Sequence, residues 1–142
     1  MYLGMPNPAC RPRKKIEPKG PSEDVIQKDF IRALKLQLQP MYPILELSFH
    51  CPNGGKRDIR EASKFSSMGV RAGIPDWILP VPRGRFTGLM IEFKSSTGSV
   101  SESQRHYMAM ATVEGWLCVV HKDWFTALME VKKYLQQNVR AR

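Results

Sequence analysis

The feature that most restricts the fold is a pair of short apolar runs, Asp76 to Val81 and Leu89 to Lys94, separated by the loop Pro82-Arg83-Gly84-Arg85-Phe86-Thr87-Gly88. Runs of this length bounded by Pro and Gly form strands, and so short a loop returns the chain antiparallel to itself. A β-hairpin results. An isolated hairpin is at best marginally stable in water, so other elements must cover it. Upstream, Ile26, Phe30, Ala33 and Leu34 recur at helical spacing between Pro21-Ser22 and Pro40, which predicts a first helix over 22–39. Ile44 to His50 alternates, with Leu45, Leu47 and Phe49 on one face and Glu46 and Ser48 on the other, as a half-buried strand does. Residues 58–68 form a short helix or stay loop, and Gly69 and Gly73 break what precedes the hairpin. Downstream, Ser101 caps a helix that runs to Glu114 and ends on Gly115, and Trp116 to Val120 reads as a buried strand. Asp123 then precedes a final amphipathic helix whose apolar positions include Phe125, Leu128, Met129 and Leu135.

The order α-β-β-β-α-β-α, with the optional short helix after the first strand, predicts an α/β fold: a mixed sheet flanked by helices on both faces. A chain of 142 residues supports one such domain, assigned to residues 21–142. Residues 1–20 carry Pro6, Pro8, Pro12 and Pro18 among Arg11, Arg13, Lys14, Lys15 and Lys19, without an apolar period. They read as a flexible basic arm.

No apolar run approaches the roughly 20 residues of a membrane helix, and the N-terminus lacks the apolar centre of a secretory signal, so a soluble intracellular protein is expected. Cys10, Cys51 and Cys118 are odd in number and far apart, which disfavours disulfides and structural zinc. The three histidines have no carboxylate partner evident in sequence and receive no catalytic role. The formal charge of +9 favours a polyanionic partner, nucleic acid first, although a basic surface can also serve only solubility.

The acids discriminate. In a hairpin symmetric about Gly84, Asp76 and Glu92 are each eight residues from the centre and lie opposite one another. Opposed Cβ atoms are about 4.5–5.5 Å apart, where two carboxylates repel unless a cation neutralises them. Strand alternation adds Lys94 to that face and turns Ile91 and Phe93 to the other. Two oxygen ligands suit a hard ion such as Mg²⁺, beside which an ammonium can position water and stabilise phosphate charge. An ordinary solvated strand also carries charges of this kind.

Pro75-Asp76 followed after fifteen residues by Glu92-Phe93-Lys94 is similar to the P-D…(D/E)-x-K signature of restriction-endonuclease-like nucleases. The wider string Pro52-Asn53-Gly54-Gly55, Gly69-Val70-Arg71-Ala72-Gly73-Ile74-Pro75-Asp76, Ile91-Glu92-Phe93-Lys94 and Ser101-x-x-Gln104 resembles the virus-type replication-repair nuclease (VRR-NUC) family over about residues 22–121. The resemblance implies a restriction-endonuclease-like core and a Mg²⁺- or Mn²⁺-dependent endonuclease acting on DNA. Branched, four-way-junction-like DNA is the better expectation, because no helix-turn-helix or zinc finger supplies base readout. Asp76, Glu92 and the Phe93 carbonyl would bind the metal, and Lys94 would assist hydrolysis.

Other assignments keep a rival. Glu23 falls within about 20° of the inward stripe of Phe30 and Leu34, so it is a further metal ligand by resemblance, or a first-turn acid on the helix dipole. Gln104 orients Lys94 or the scissile phosphate by resemblance, or completes a capping box with Ser101. Lys56, Arg57 and Arg71, in Gly-rich segments, form a DNA-facing rim, although each alone is more often plain surface. The small size suggests a homodimer sealed by the final helix through Trp124, Phe125, Leu128, Met129, Tyr134 and Leu135. A non-catalytic DNA-binding or packaging protein, or an end-directed exonuclease, remains the alternative.

Overall fold

The computed structural model describes residues 20–52 and 64–139. Its centre is a four-stranded mixed sheet in the order β1 (Phe49–His50), β2 (Trp77–Leu79), β3 (Gly88–Phe93) and β4 (Trp116–His121). The first two pairings are antiparallel and the last is parallel. A parallel pair needs a crossover, and α2 (Glu102–Val113) provides it. The hairpin pairs Trp77 with Ile91 and Leu79 with Leu89, which is the register centred on Gly84.

Side-chain alternation then divides the molecule. Trp77, Leu79, Leu89, Ile91 and Phe93 point to one face, where they pack with α1 (Glu23–Ala33) and α3 (Trp124–Leu135). Phe30 anchors this core, its ring 5.3 Å from Trp77 and 5.1 Å from Phe93. Tyr134 is buried in the same core and its hydroxyl donates to the Val81 carbonyl at 2.7 Å, so its polar end is satisfied. Ile78 and Met90 point to the other face, beneath α2, which contributes no fully buried residue. Helices on both faces of a mixed sheet match the expected class.

Several details differ from expectation. The first helix is α-helical to Ala33 and continues as a π-helical turn, Leu34–Leu38, closed by the Gln39 N–H on the Leu34 carbonyl. The segment read as a strand from Ile44 is a 3₁₀ helix, Pro43–Leu47, and only Phe49–His50 pairs as strand. Pro43 presets the helical φ of its first turn, and only Leu45 enters the core, while Leu47 and Phe49 stay half exposed. β4 is half-buried because it forms the sheet edge beneath the loosely packed α2. In α3 the inward stripe is Ala127, Leu128, Val131, Tyr134 and Leu135, whereas Phe125 and Met129 face outward. Leu128, Tyr134 and Leu135 are therefore intramolecular core and cannot also form a dimer seam. Residues 64–67 form a single helical turn. The basic arm, Asn53 to Gly55, Lys56 and Arg57 lie outside the described residues.

Candidate active site

β2 begins and β3 ends where α1 and α2 begin, so four elements deliver side chains to one place. Asp76, one residue before β2, accepts the Phe93 N–H through Oδ2 at 2.9 Å. This fixes the carboxylate against the end of β3. N–H and C=O of one strand residue point the same way, so the Phe93 carbonyl lies on the edge that faces Asp76. The neighbouring Lys94 N–H points to the opposite edge and donates to the His121 carbonyl at 2.9 Å.

Glu92 is completely buried. Its Oε1 accepts from Lys94 Nζ at 2.6 Å and from Gln104 Nε2 at 2.5 Å, while Oε2 has no hydrogen-bond partner among the described residues. Lys94 is nearly buried, with Glu23 Oε2 a further 3.5 Å away. The other Glu23 oxygen accepts the Ser95 N–H at 3.2 Å. Gly98 makes this approach possible, since a Cβ there would lie 2.7 Å from Glu23 Oε1. Glu23, Asp76, Glu92, Lys94 and Gln104 are thus brought together.

Gln104 makes the capping box and also reaches the cluster. Its Oε1 accepts the Ser101 N–H at 2.9 Å while its own backbone N–H donates to the Ser101 hydroxyl oxygen at 3.2 Å, a complete capping box at the start of α2. Its amide nitrogen remains available for Glu92, so the cap fixes the side chain that fixes the carboxylate. The contact is with Glu92 and not with Lys94.

Electrostatics follow from burial. Desolvation pushes the Glu92 carboxyl up to about 7, against the hydrogen bond from Lys94, and the nearby Asp76 charge adds to the rise. Burial also raises Asp76, partly offset by the Phe93 N–H and by the Lys94 charge. For Lys94 burial acts downward, but the Glu92 hydrogen bond and the surrounding carboxylates outweigh it and raise the ammonium. Three acids around one cation leave net negative charge beside a buried carboxylate, with Glu23 and Asp76 on the half-exposed side of the cluster.

The donors available to a metal ion are all hard oxygens. Among the described residues no three of His, Cys, Asp and Glu converge as a ready cage. Two carboxylates and a carbonyl fit a hydrated ion of the Mg²⁺ type, which keeps several waters. The orphaned Glu92 Oε2 is the clearest sign of this fit, because a buried acceptor without a partner is costly.

The VRR-NUC domain profile matches residues 22–122 of the sequence. The chain belongs to the VRR-NUC family. A solved structure described as a VRR_NUC domain protein superposes with a TM-score of 0.72 at 30% identity, over 84% of this chain and 93% of that one. No curated protein sequence matches the chain significantly. Membership implies a nuclease-type, DNA-processing function for this VRR-NUC domain.

Arg71 is exposed on the turn leading to Gly73, which abuts the start of α2 beside the cluster. His50, given no role from sequence, lies with Nδ1 2.7 Å from the Asp76 carbonyl oxygen. The pairing of His50 with Trp77 creates that contact, and the sequence of one strand does not name its partner. Gly73 offers a test of the scaffold: its φ is +89° and a Cβ would lie 2.4 Å from the Ser103 carbonyl oxygen. Gly73→Ala should cost about 1–3 kcal/mol in a denaturant titration and slow cleavage by displacing the Gln104 cap. Unchanged stability would show that the turn has room to move.

Proposed function

We propose that this protein is a Mg²⁺- or Mn²⁺-dependent deoxyribonuclease that hydrolyses phosphodiester bonds internally in branched DNA as a homodimer. The observation that carries the reading is the buried Glu92 carboxylate with its unpartnered oxygen, facing Asp76 and Lys94. Asp76, Glu92 and the Phe93 carbonyl would hold the ion, with Glu23 the nearest further acid. A bound divalent cation supplies Lewis-acid charge for the scissile phosphate and for water as nucleophile.

The chain's own groups do the rest. Gln104 keeps Glu92 in one orientation. Lys94, with its raised proton affinity, acts as an ammonium that neutralises charge on the reacting phosphate and can deliver a proton to the leaving oxygen. Arg71, together with Lys56, Arg57 and the basic arm, would contact phosphates at the rim. The dimer rests on two-fold matching to a near-symmetric junction, since most homo-oligomers are two-fold symmetric. Its seam is not the inward face of α3.

One gel series tests the reading: linear, flapped, closed circular and four-way DNA, each with Mg²⁺ and with chelator. Metal-dependent cutting strongest on branched substrates is expected, with paired nicks from a dimer seen by sedimentation. Binding without cutting across all substrates would favour the non-catalytic alternative, and cutting confined to free ends the exonuclease.

A further inference from the structure

Beside the carboxylate cluster, α1 and β1 enclose an open cavity of about 420 Å³ lined by Asp24, Gln27, Lys28, Ile31 and His50. Its volume lies in the range of roughly 300–1,000 Å³ usual for small ligands. It adjoins the cluster at two points: Asp24 follows Glu23, and His50 contacts the main-chain oxygen of Asp76. Glu23, Gln27 and Ile31 recur every four residues, so one face of α1 runs from the cluster into the cavity. Gln27 Nε2 lies 2.5 Å from His50 Nδ1, a contact that ties the two walls together.

The lining is wrong for a phosphate. Among the described residues Lys28 is its only cation, Asp24 opposes an anion, and most of the wall is apolar. It suits a flat ligand with apolar faces and a polar edge. The His50 ring and the Ile31 side chain offer surfaces for stacking, the Gln27 amide offers a donor and an acceptor, and Asp24 accepts from an amino group. Gln pairs with the adenine edge and Asp with the cytosine amino group for the same reason. A base inside a duplex keeps both faces stacked, so only an unpaired base can enter.

We propose that this cavity receives an unpaired nucleobase next to the scissile phosphodiester, amino-bearing adenine or cytosine in preference to thymine. The proposal rests on the nuclease reading and narrows it: the strand being cut is unpaired at that nucleotide, as it is at the branch point of a flap.

The test is an abasic scan on a flapped substrate, with the full chain, read in two ways. Equilibrium binding in chelator and cleavage in Mg²⁺ are measured with each nucleotide around the cut made abasic in turn. One position should weaken binding and slow cleavage by roughly 5- to 150-fold, the range that loss of base–aromatic stacking gives. Thymine there should rank below adenine and cytosine. Gln27→Ala, and separately the exposed Asp24→Ala, should bind the intact substrate more weakly and show a much smaller abasic penalty at that position. Equal abasic penalties in wild type and both variants, or no sensitive position in the binding scan, would overturn the pocket even if DNA is cut. A position-specific binding penalty relieved by the variants, in a protein that cuts nothing, would keep the pocket and remove the nuclease reading.

Discussion

Glu92→Gln is expected to fold and to cut DNA slower by roughly a thousandfold or more, since the change removes the buried charge that would hold the ion. The amide keeps an oxygen for Lys94 and Gln104, so the neighbours need not move. Stability supplies a second readout. The carboxyl titrates at about 7 in the folded protein against an ordinary 4.5. Between those values the folded chain binds one more proton than the unfolded chain, so this group makes stability fall as pH rises through the window. Without a divalent ion, thermal stability should therefore decline from about pH 5 to pH 8 in the wild type and decline less in Glu92→Gln. Mg²⁺ should raise the midpoint of the wild type at the upper end and leave the variant nearly unmoved. A variant that still cuts within tenfold of the wild type, or that gains equally from Mg²⁺, would remove Glu92 from the ion site.

The hairpin was the legible part of this chain because its constraints are local. Gly84 sets the centre, and alternation then places Glu92 and Lys94 on one face and Ile91 and Phe93 on the other. Capping chemistry was equally legible: Ser22, Ser101 and Asp123 each accept a backbone N–H at the start of a helix. What sequence could not deliver was burial of charge. Paired charges on a strand read equally well as a solvated face, yet Glu92 is fully buried, with Lys94 and the Gln104 amide from the start of α2 on its carboxylate.

The misreadings share one cause, which is that tertiary context overrides a short pattern. Leu45, Leu47 and Phe49 alternate as in a strand, yet the chain needs one anchor there and uses Leu45 alone. Phe125 and Met129 are apolar but lie off the stripe defined by Ala127, Leu128 and Val131, the face of α3 that is buried in the core. The position of His50 beside Asp76 depends on the pairing of β1 with β2, which the pattern of one strand does not give. Gln104 was undecided from sequence between a capping box and a role beside Lys94 or the phosphate; the cap is present, and the amide nitrogen it leaves over meets Glu92 instead of Lys94.

Lys94→Ala should lose cleavage by about 10²- to 10³-fold while retaining the gain in thermal midpoint from Mg²⁺, because in the proposed mechanism its ammonium would neutralise phosphate charge and hold no ion. The same change breaks the ion pair at 2.6 Å with the buried Glu92. Removing one member of a buried pair costs about 3–5 kcal/mol when the other stays charged. Glu92 can avoid that cost by taking up a proton, so the destabilisation should be small at about pH 5 and grow towards pH 8. An added divalent ion should narrow the gap, since it replaces the missing positive charge. Lys94→Arg should recover much of the stability but little of the activity: a guanidinium keeps the charge, but it is wider than an ammonium and does not release its proton. Wild-type cleavage by Lys94→Arg would reduce Lys94 to a generic positive charge. A stability gap that ignores both pH and Mg²⁺ would mean that Lys94 supports the fold by packing alone, and the electrostatic account of the cluster would then fail.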